Sequence, residues 1–226
     1  PYMVFLDLDD VQIVGSSPEA LVRMQDGLAH LRPIAGTRPR GATPAQDQSL
    51  AAELLADPKE AAEHVMLVDL ARNDVGRVAV PGSIRVAPFR SVERYSHVMH
   101  LVSGVQGRVR PELDAFDVFG AAFPAGTVVG APKLRAAEIL SELEPTGRGL
   151  YAGTVGTFGH GADPERCVSM DQAIAIRTMV FAQGRVSHQA GAGIVADSVA
   201  EREHAECLHK GAALRAALQL AAGGLS

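Results

Sequence analysis

The sequence has few of the features that mark secreted or membrane proteins. Only two of its 226 residues are cysteine, Cys167 and Cys207, and they are too far apart for a CxxC motif. No disulfide framework is expected from two distant cysteines, so both are predicted to be thiols in a reducing compartment. No apolar run approaches the roughly 20 residues that span a bilayer, and no basic, signal-like segment opens the chain. A cytoplasmic protein with no membrane partner is therefore predicted.

An excess of positive charge is also missing. The 21 Lys and Arg residues are outnumbered by 26 Asp and Glu residues, which gives a formal charge of −5. There is no Lys/Arg run, and no aromatic residues alternate with basic ones, so no nucleic-acid partner is expected. An anionic substrate would have to be held by a few placed groups. With 47% apolar residues, the chain is long enough for one large domain or two small ones.

Helix and strand patterns are interleaved along the chain. Strands are predicted at 2–8, 12–15, 20–24, 28–31, 77–80, 83–89, 151–158, 169–181 and 185–190. Helices are predicted at 50–55, from Asp57 towards 73–74, and at 114–122, 134–143 and 199–220. The helix that begins at Asp57 has the clearest start, since Pro58 fits the first helical position and Glu60 the third position of a capping box. Residues 33–41 (PIAGTRPRG) are predicted to be a loop. The interleaving indicates a layered α/β or α+β domain.

Two pairs of glutamates share one spacing. Glu60 and Glu63 are three residues apart on one predicted helix, and Glu203 and Glu206 are three apart on the last one. At this spacing both carboxylates of a pair project from the same helical face. Four carboxylates from two helices would suit Mg²⁺, a hard cation that prefers oxygen ligands. Such pairs are also common on solvated helix surfaces, so the spacing alone does not decide between a metal site and a surface.

Two small-residue segments precede helices, at 125–133 and at 189–193. Backbone N–H groups in such segments can approach an anion, but the same composition is found in ordinary tight turns. The first segment lacks the GxxxxGK[ST] order, so ATP binding is not expected. His100 could act as an acid or base or be a core histidine. Arg177, at the end of the apolar run 174–176, could bind a carboxylate or be an edge residue.

Eight strings bring these features into one pattern. The chain resembles the chorismate-utilising enzymes, and within them the large subunits of anthranilate synthases. The matching strings, in family order, are SSPE (16–19), PIAGTRPRG (33–41), EHVMLVDLARNDVGRV (63–78), YSHVMHLVS (95–103), FPAGTVVGAPKLRAAEI (123–139), RGLYAGTVG (148–156), IAIRT (174–178) and QAGAGIVADS (189–198). Glutamates and Lys210 follow the last string. The resemblance covers nearly the whole chain.

The resemblance implies an α+β fold of two packed, antiparallel-rich sheets flanked by helices, with chorismate and Mg²⁺ in the cleft between the sheets. It implies three catalytic residues: Glu19 as the general acid at the leaving hydroxyl, His100 beside the ring, and Thr127 in the ring pocket. The residues implied to bind substrate are Gly36, Thr37, Tyr151, Arg177, Gly191, Ala192, Gly193 and Lys210. The residues implied to surround the metal are Glu60, Glu63, Glu203 and Glu206.

Position 35 separates branches of the family. Aminodeoxychorismate synthases often carry lysine there, whose amine can attack the ring. The small Ala35 leaves room for ammonia, as in anthranilate synthases, where loss of pyruvate follows. The chain has no cysteine motif of a glutamine amidotransferase, so the resemblance implies such a partner subunit or external ammonium.

The match also departs from the family pattern. Residues 1–226 are expected to be the chorismate-binding catalytic core without the family's first strands and N-terminal regulatory region. Val129 stands where serine is usual, and Gln172-Ala173 where Thr-Cys is usual. Four hypotheses stay open: an anthranilate synthase, an enzyme that releases 2-amino-2-deoxyisochorismate, an aminodeoxychorismate synthase, and a non-catalytic binding fragment of the same fold.

Overall fold

The computed structural model describes residues 1–224, which form thirteen strands and six helices. The strands are β1 (Tyr2–Leu8), β2 (Val11–Ser17), β3 (Ala20–Gln25), β4 (Leu28–Leu31), β5 (Ile34–Pro39), β6 (Arg85–Val86), β7 (Ser91–Arg94), β8 (Val98–Val102), β9 (Val105–Arg108), β10 (Thr154–His160), β11 (Cys167–Ile174), β12 (Thr178–Ala182) and β13 (Arg185–His188). The helices are α1 (Pro44–Ala56), α2 (Pro58–Gly76), α3 (Ala115–Ala122), α4 (Gly126–Val129), α5 (Lys133–Leu143) and α6 (Ala200–Gly223). None of the helices in the described part combines the length and apolar character that crossing a bilayer requires.

The chain divides into two compact units. The first unit consists of Pro1–Ala20, Pro124–Val155 and Ala173–Ser226, and the second of Leu21–Phe123 and Gly156–Gln172. Each unit is therefore built from segments that are distant in sequence.

The first unit contains a four-stranded antiparallel sheet in the order β1-β2-β12-β13. Its register pairs Val14 with Met179, and Met179 with His188. Helix α6 lies against β13 at Gly211, where an added Cβ would be 3.0 Å from Cε1 of His188. A larger residue at this position would push α6 away from the strand.

The second unit contains a six-stranded sheet, β10-β11-β3-β4-β9-β6, and a three-stranded sheet, β5-β8-β7. Helix α2 buries Val68, Ala71 and Val75 against β9. Helix α1 packs Leu54, which is fully buried, against Met99 and Leu101 of β8. These two apolar layers hold the strands that carry the candidate residues of this unit.

Helix α2 starts where it was predicted to start, but the predicted capping box does not form. Asp57 accepts hydrogen bonds from the backbone N–H groups of Lys59 and Glu60, at 2.9 and 3.2 Å, and Pro58 occupies the first helical position. The N–H of Asp57, which a capping box would give to Glu60, donates to the carbonyl of Glu53 at 3.0 Å. Asp57 ends α1 as well as starting α2, so its N–H is used by the earlier helix.

The predicted loop at 33–41 is wrong over most of its length, because β5 runs through it. Gly36, at φ +64°, coincides with a register shift between Ala35 and Thr37, so the bulge absorbs the irregular sequence. Strand β5 lies at the edge of its sheet and ends at Pro39. Proline has no backbone N–H, but at the end of an edge strand this does not remove a hydrogen bond from the middle of the sheet.

Other boundaries also moved. The predicted strand 169–181 is two strands in different sheets, β11 and β12, separated by residues 175–177. Helix α1 is longer than the predicted 50–55, since Thr43 caps it and Pro44 begins it. The predicted fold class, α+β with antiparallel-rich sheets flanked by helices, is confirmed. The described strands form three sheets where two were predicted.

Candidate active site

Glu19 lies in the short connection between β2 and β3 of the first unit. Its backbone N–H donates to the hydroxyl of Ser17 at 3.4 Å, and its carbonyl accepts from the N–H of Ile174 at 3.0 Å. These contacts fix the backbone on both sides of the residue. They set the direction in which the side chain leaves the backbone, and a hydrogen bond with Thr127 holds the carboxyl group itself.

The carboxyl group of Glu19 is placed where its neutral form is favoured. Burial raises its pKa, and this effect outweighs the hydrogen bond with Thr127 and the positive charges of Arg177 and Lys210, which lower it. The residues Glu19, Thr127, Tyr151, Arg177, Gly191 and Lys210 are called the Glu19 cluster below. A carboxyl that keeps its proton at higher pH than usual can serve as a general acid.

The sequence places Arg177 inside the predicted strand 169–181. In the structure it lies instead in the segment between β11 and β12. Its φ is +52°, a region that is unusual for a residue with a side chain. Its carbonyl accepts from the N–H of Ser16 at 3.1 Å, which ties the segment to β2. The guanidinium influences the pKa of both Glu19 and Tyr151, so it lies within electrostatic reach of both.

Lys210, on α6, connects two parts of the first unit. Its Nζ donates to the carbonyl of Gly191 at 2.9 Å and forms an ion pair with Oε1 of Glu206 at 2.6 Å. An added Cβ on Gly191 would lie 2.8 Å from the hydroxyl of Tyr151, so a side chain at Gly191 would displace the tyrosine. These contacts bring Lys210, Gly191 and Tyr151 together.

The next two residues of the glycine-rich segment are less constrained. Ala192 is half-buried and Gly193 is exposed. A Cβ on Gly193 would have no described neighbour within 4 Å, so packing among the described residues does not require glycine there. Their predicted part in substrate binding stays a prediction.

His100 lies on β8 of the second unit, opposite the bulge of β5. Its Nδ1 is 3.0 Å from the carbonyl oxygen of Gly36 and 3.1 Å from Oγ1 of Thr37. Because a carbonyl can only accept, Nδ1 is assigned the proton and Nε2 the lone pair. The ring of Tyr95 lies beside the imidazole, with centroids 5.7 Å apart. This tautomer leaves Nε2 able to accept a proton from a substrate.

Arg38, which the sequence did not single out, organises the carboxylates near His100. It donates to Glu53 and Asp57 at 2.9 Å each, and to Oε1 of Glu60 at 3.2 Å. The other oxygen of Glu60 is 2.9 Å from the position of a Cβ on Gly36. The residues Gly36, Thr37, Arg38, Glu60 and His100 are called the His100 cluster. Arg38 is in the PIAGTRPRG string, but its role depends on helices that the string does not contain.

The four predicted metal ligands are distributed between the two units. Glu60 and Glu63 are on α2 of the second unit, and Glu203 and Glu206 on α6 of the first. Carboxylate oxygens are the donors that Mg²⁺ prefers, so the chemistry of the set fits this ion. Glu60 and Glu206 are ion-paired with Arg38 and Lys210. Across residues 1–224, no group of three or more His, Cys, Asp or Glu side chains is arranged to hold a metal ion. The magnesium site stays a prediction.

Comparisons with known proteins agree on one family. A sequence model described as chorismate binding enzyme matches residues 1–216. Anthranilate synthase component 1 of Aquifex aeolicus (strain VF5) is 55% identical over 221 residues, which cover 98% of this chain and 44% of that protein. Aminodeoxychorismate synthase component 1 of Bacillus subtilis (strain 168) is 50% identical over 220 residues, which cover 97% of this chain and 46% of that protein.

The fold has a solved counterpart. The crystal structure of anthranilate synthase component I from Streptococcus pneumoniae TIGR4 matches with a TM-score of 0.81 and 46% identity, over 92% of this chain and 45% of that chain. The chain thus spans less than half the length of these relatives.

Proposed function

The chain belongs to the chorismate binding enzyme family, and from this premise we propose that it is the catalytic core of an anthranilate synthase. The proposed reaction converts chorismate and ammonia to anthranilate and pyruvate, a step of tryptophan biosynthesis. The observation that carries the proposal is the Glu19 cluster: a carboxyl with a raised pKa, hydrogen-bonded to Thr127 and facing Arg177 and Lys210. The 55% identity with the Aquifex aeolicus enzyme supports the choice of reaction.

In the proposed first step, ammonia adds at C2 of chorismate while the C4 hydroxyl leaves as water. Glu19 is proposed to supply the proton to this hydroxyl, since burial raises the pKa of its carboxyl and so favours the protonated form that a general acid needs. Thr127, which is hydrogen-bonded to Glu19, lines the ring pocket. The backbone of Gly36 and Thr37, in the second unit, is also proposed to bind the substrate.

Substrate carboxylates need positive partners in a chain whose net charge is −5. Arg177 and Tyr151 are proposed to hold the enolpyruvyl carboxylate, together with the backbone of Gly191, Ala192 and Gly193. Lys210 adds a second positive charge near Gly191. An arginine can bind a carboxylate with two parallel hydrogen bonds, which fixes its direction as well as its position.

In the proposed second step, a proton leaves C2 and the bond between the ring and the enolpyruvyl oxygen breaks, which makes the ring aromatic. The enolpyruvyl group leaves as the enolate of pyruvate, which takes up a proton to become pyruvate. His100 is proposed to accept the proton from C2 at Nε2, because Nδ1 already faces the Gly36 carbonyl. Aromatisation makes the step strongly favourable, so the protein has only to position the groups and accept the proton.

Magnesium is proposed as the cofactor, with Glu60, Glu63, Glu203 and Glu206 as the residues that would hold it. When bound, the ion would compensate the charge of the ring carboxylate. Glu60 is ion-paired with Arg38, and Glu206 with Lys210. Each of these two carboxylates would therefore have to bind the ion and its basic partner together.

A glutamine amidotransferase is proposed as the source of ammonia, since the relatives' names describe them as component 1. Aminodeoxychorismate formation is the second candidate, because the Bacillus subtilis relative is 50% identical. Ala35, which is 8% exposed on β5, favours the first candidate, since it offers no amine to the ring. The free thiols of Cys167 and Cys207 support a reducing, cytoplasmic location.

The deciding experiment incubates the purified 226-residue chain with chorismate and ammonium, with and without Mg²⁺, and follows anthranilate fluorescence. Fluorescence that requires Mg²⁺ is expected, and glutamine should replace ammonium once an amidotransferase subunit is added. An aminated product that retains the enolpyruvyl group would favour 2-amino-2-deoxyisochorismate or aminodeoxychorismate as the end product. Unchanged chorismate would leave only the binding-fragment hypothesis.

The metal assignment is tested in the same assay with Glu206→Gln. We expect Mg²⁺-dependent turnover to be lost and the fold to be kept, because Glu206 is exposed on α6. Glu201→Gln, an exposed residue in the first turn of the same helix, is the matched control and should stay active. Mg²⁺ titration by calorimetry gives a second readout, and turnover near the parent level in Glu206→Gln would show that the metal set is wrong.

A further inference from the structure

Arg148 contacts both the segment that carries Thr127 and the ring of Tyr151, although neither the motifs nor the relatives' names assign it a role. It lies five residues after the end of α5, and its side chain is 21% exposed. All of its contacts described below are within the first unit.

The orientation of the guanidinium is fixed by Glu144. Nε of Arg148 donates to Oε2 of Glu144 at 2.8 Å, and Nη2 donates to Oε1 at 2.7 Å. This two-point contact defines the plane of the guanidinium, which a lysine in its place could not do. The arginine lowers the pKa of the Glu144 carboxyl, chiefly through these hydrogen bonds, so the pair stays ionised.

The remaining nitrogen reaches α4. Nη1 of Arg148 donates to the carbonyl of Val128 at 2.8 Å, and Val128 is the neighbour of Thr127. Helix α4 has four residues and no side-chain cap, so contacts from outside are needed to fix it. Because Thr127 is hydrogen-bonded to Glu19, the position of α4 also sets the surroundings of the proposed acid.

The same guanidinium lies over the ring of Tyr151. The carbon at the centre of the group is 5.6 Å from the ring centroid, within the range of a cation–π contact. The hydroxyl end of this ring lies against Gly191. One guanidinium therefore contacts both the carbonyl of Val128, next to Thr127, and the ring of Tyr151.

We propose that Arg148 is a positioning residue that locks Thr127 and Tyr151 into their places around Glu19. The proposal rests on the function proposed above, since it is the substrate of that reaction that Tyr151 and Thr127 would meet. Arg148 itself touches no reacting atom.

The kinetic test is Arg148→Met, which keeps most of the length of the side chain and removes all three contacts. We expect kcat for chorismate to fall about 10- to 100-fold, since a displacement of about 1 Å at a catalytic group costs up to this much. Arg148→Lys restores the charge but not the planar fork, so it should recover less than half of the lost rate. Arg135→Met is the matched control, because Arg135 is exposed on α5 and paired only with surface glutamates in the described part. It should keep the parent rate.

A second readout does not depend on turnover. The chain has three tyrosines, so isotope-labelled tyrosine gives few NMR signals. The signal that is missing in Tyr151→Phe is the signal of Tyr151. Burial raises the pKa of Tyr151, and the charge of Arg148 is the first effect that opposes this rise. Arg148→Met should therefore raise the pKa of Tyr151 further, whereas Arg135→Met should leave it unchanged.

The outcomes separate the two proposals. If the parent chain does not consume chorismate, the proposed function is wrong, while the shift of the Tyr151 signal still tests the positioning role. If Arg148→Met matches Arg135→Met in both kcat and the Tyr151 titration, the positioning role is wrong. If Arg148→Met does not fold, Glu144→Gln serves instead. This change frees the guanidinium but keeps its charge, so a lower kcat would support the role and an unchanged kcat would overturn it.

Discussion

Carboxyl groups meet basic side chains in both units, but with opposite results. In the first unit, Glu19 faces Arg177 and Lys210, and its pKa is nevertheless raised because burial outweighs the two charges. In the second unit, Asp47 accepts from Arg40 at 2.7 Å, from Arg94 at 2.9 Å and from the N–H of Gly41 at 3.0 Å. These hydrogen bonds lower the pKa of Asp47 to about 2.

The difference shows what decides the protonation of a carboxyl. At Glu19, burial outweighs one hydrogen bond from Thr127 and two nearby positive charges. At Asp47, the hydrogen bonds of Arg40 and Gly41 are the largest effects, and loss of solvation is a smaller one. Groups whose surroundings shift their pKa values in opposite directions are suited to opposite tasks. Asp47 stays ionised near neutral pH and connects α1 with β7 and with the segment that follows β5, whereas Glu19 is proposed to hold and release a proton.

The largest effect is expected from Glu19→Gln, which keeps the shape of the side chain but cannot donate an acidic proton. We expect kcat to fall by about 10²- to 10⁴-fold, the usual contribution of a general acid. The parent rate should also fall as the pH rises through the raised pKa of Glu19, because the protonated form is then lost. Initial rates of chorismate consumption across pH measure both effects.

Glu142→Gln is the control for this change, because Glu142 is an exposed glutamate on α5 of the same unit. It should keep the rate and the pH profile of the parent chain. If Glu19→Gln retains the parent rate, Glu19 is not the acid and the contrast with Asp47 has no chemical meaning.

An intermediate effect, on stability and not on chemistry, is expected from Asp47→Asn. The pKa of Asp47 is depressed in the folded chain, so its contribution is present above the unfolded value of 3.8 and is lost as the pH falls towards about 2. Asp47→Asn should therefore lower the melting temperature by roughly 5 °C at neutral pH. The difference from the parent should shrink below about pH 4, where the carboxyl of the unfolded chain is protonated. A difference that is constant across this range would assign the loss to packing.

Several parts of this picture could be predicted from sequence, and the reason lies in local chemistry. The cap at Asp57 and the strands 2–8 and 28–31 are set by residues within one element, so their patterns were sufficient. Three members of the Glu19 cluster, Glu19, Thr127 and Arg177, stand in matched strings, and Lys210 follows the last of these strings. Their meeting in one unit agrees with that reading, although their catalytic roles stay predictions.

The rest depends on contacts between distant segments. Within residues 33–41, Ile34–Pro39 form an edge strand because β8 pairs with them, although the composition of this segment disfavours a strand. Arg38 lies between Thr37 and Pro39, and Arg148 between Gly147 and Gly149, so in the sequence both resemble ordinary loop arginines. Their importance appears only when the carboxylates of α1 and α2, or the carbonyl of Val128, are in place. Both arginines lie inside matched strings and have no proposed contact with the substrate. A search for arginines with these two properties would find them.

The smallest effect is expected from Thr37→Val, which tests whether contacts in the His100 cluster are redundant. Nδ1 of His100 has two oxygens within reach, and only the hydroxyl of Thr37 is removed by this change. The Gly36 carbonyl remains, so the proton should stay on Nδ1 and Nε2 should keep its lone pair. Loss of one hydrogen bond of about 1 kcal/mol predicts a decrease in kcat of roughly fivefold.

Nitrogen chemical shifts of isotope-labelled histidine distinguish the two tautomers directly, with His100→Asn to identify the signal. The same shifts in the parent chain and in Thr37→Val would show that the backbone alone sets the tautomer, which no side-chain substitution at position 37 could then disturb. A proton that moves to Nε2 in Thr37→Val would mean that the hydroxyl is required. In that case His100 would depend on a single side-chain contact, as Glu19 does on Thr127, and the two units would hold their proton-transfer groups in the same way.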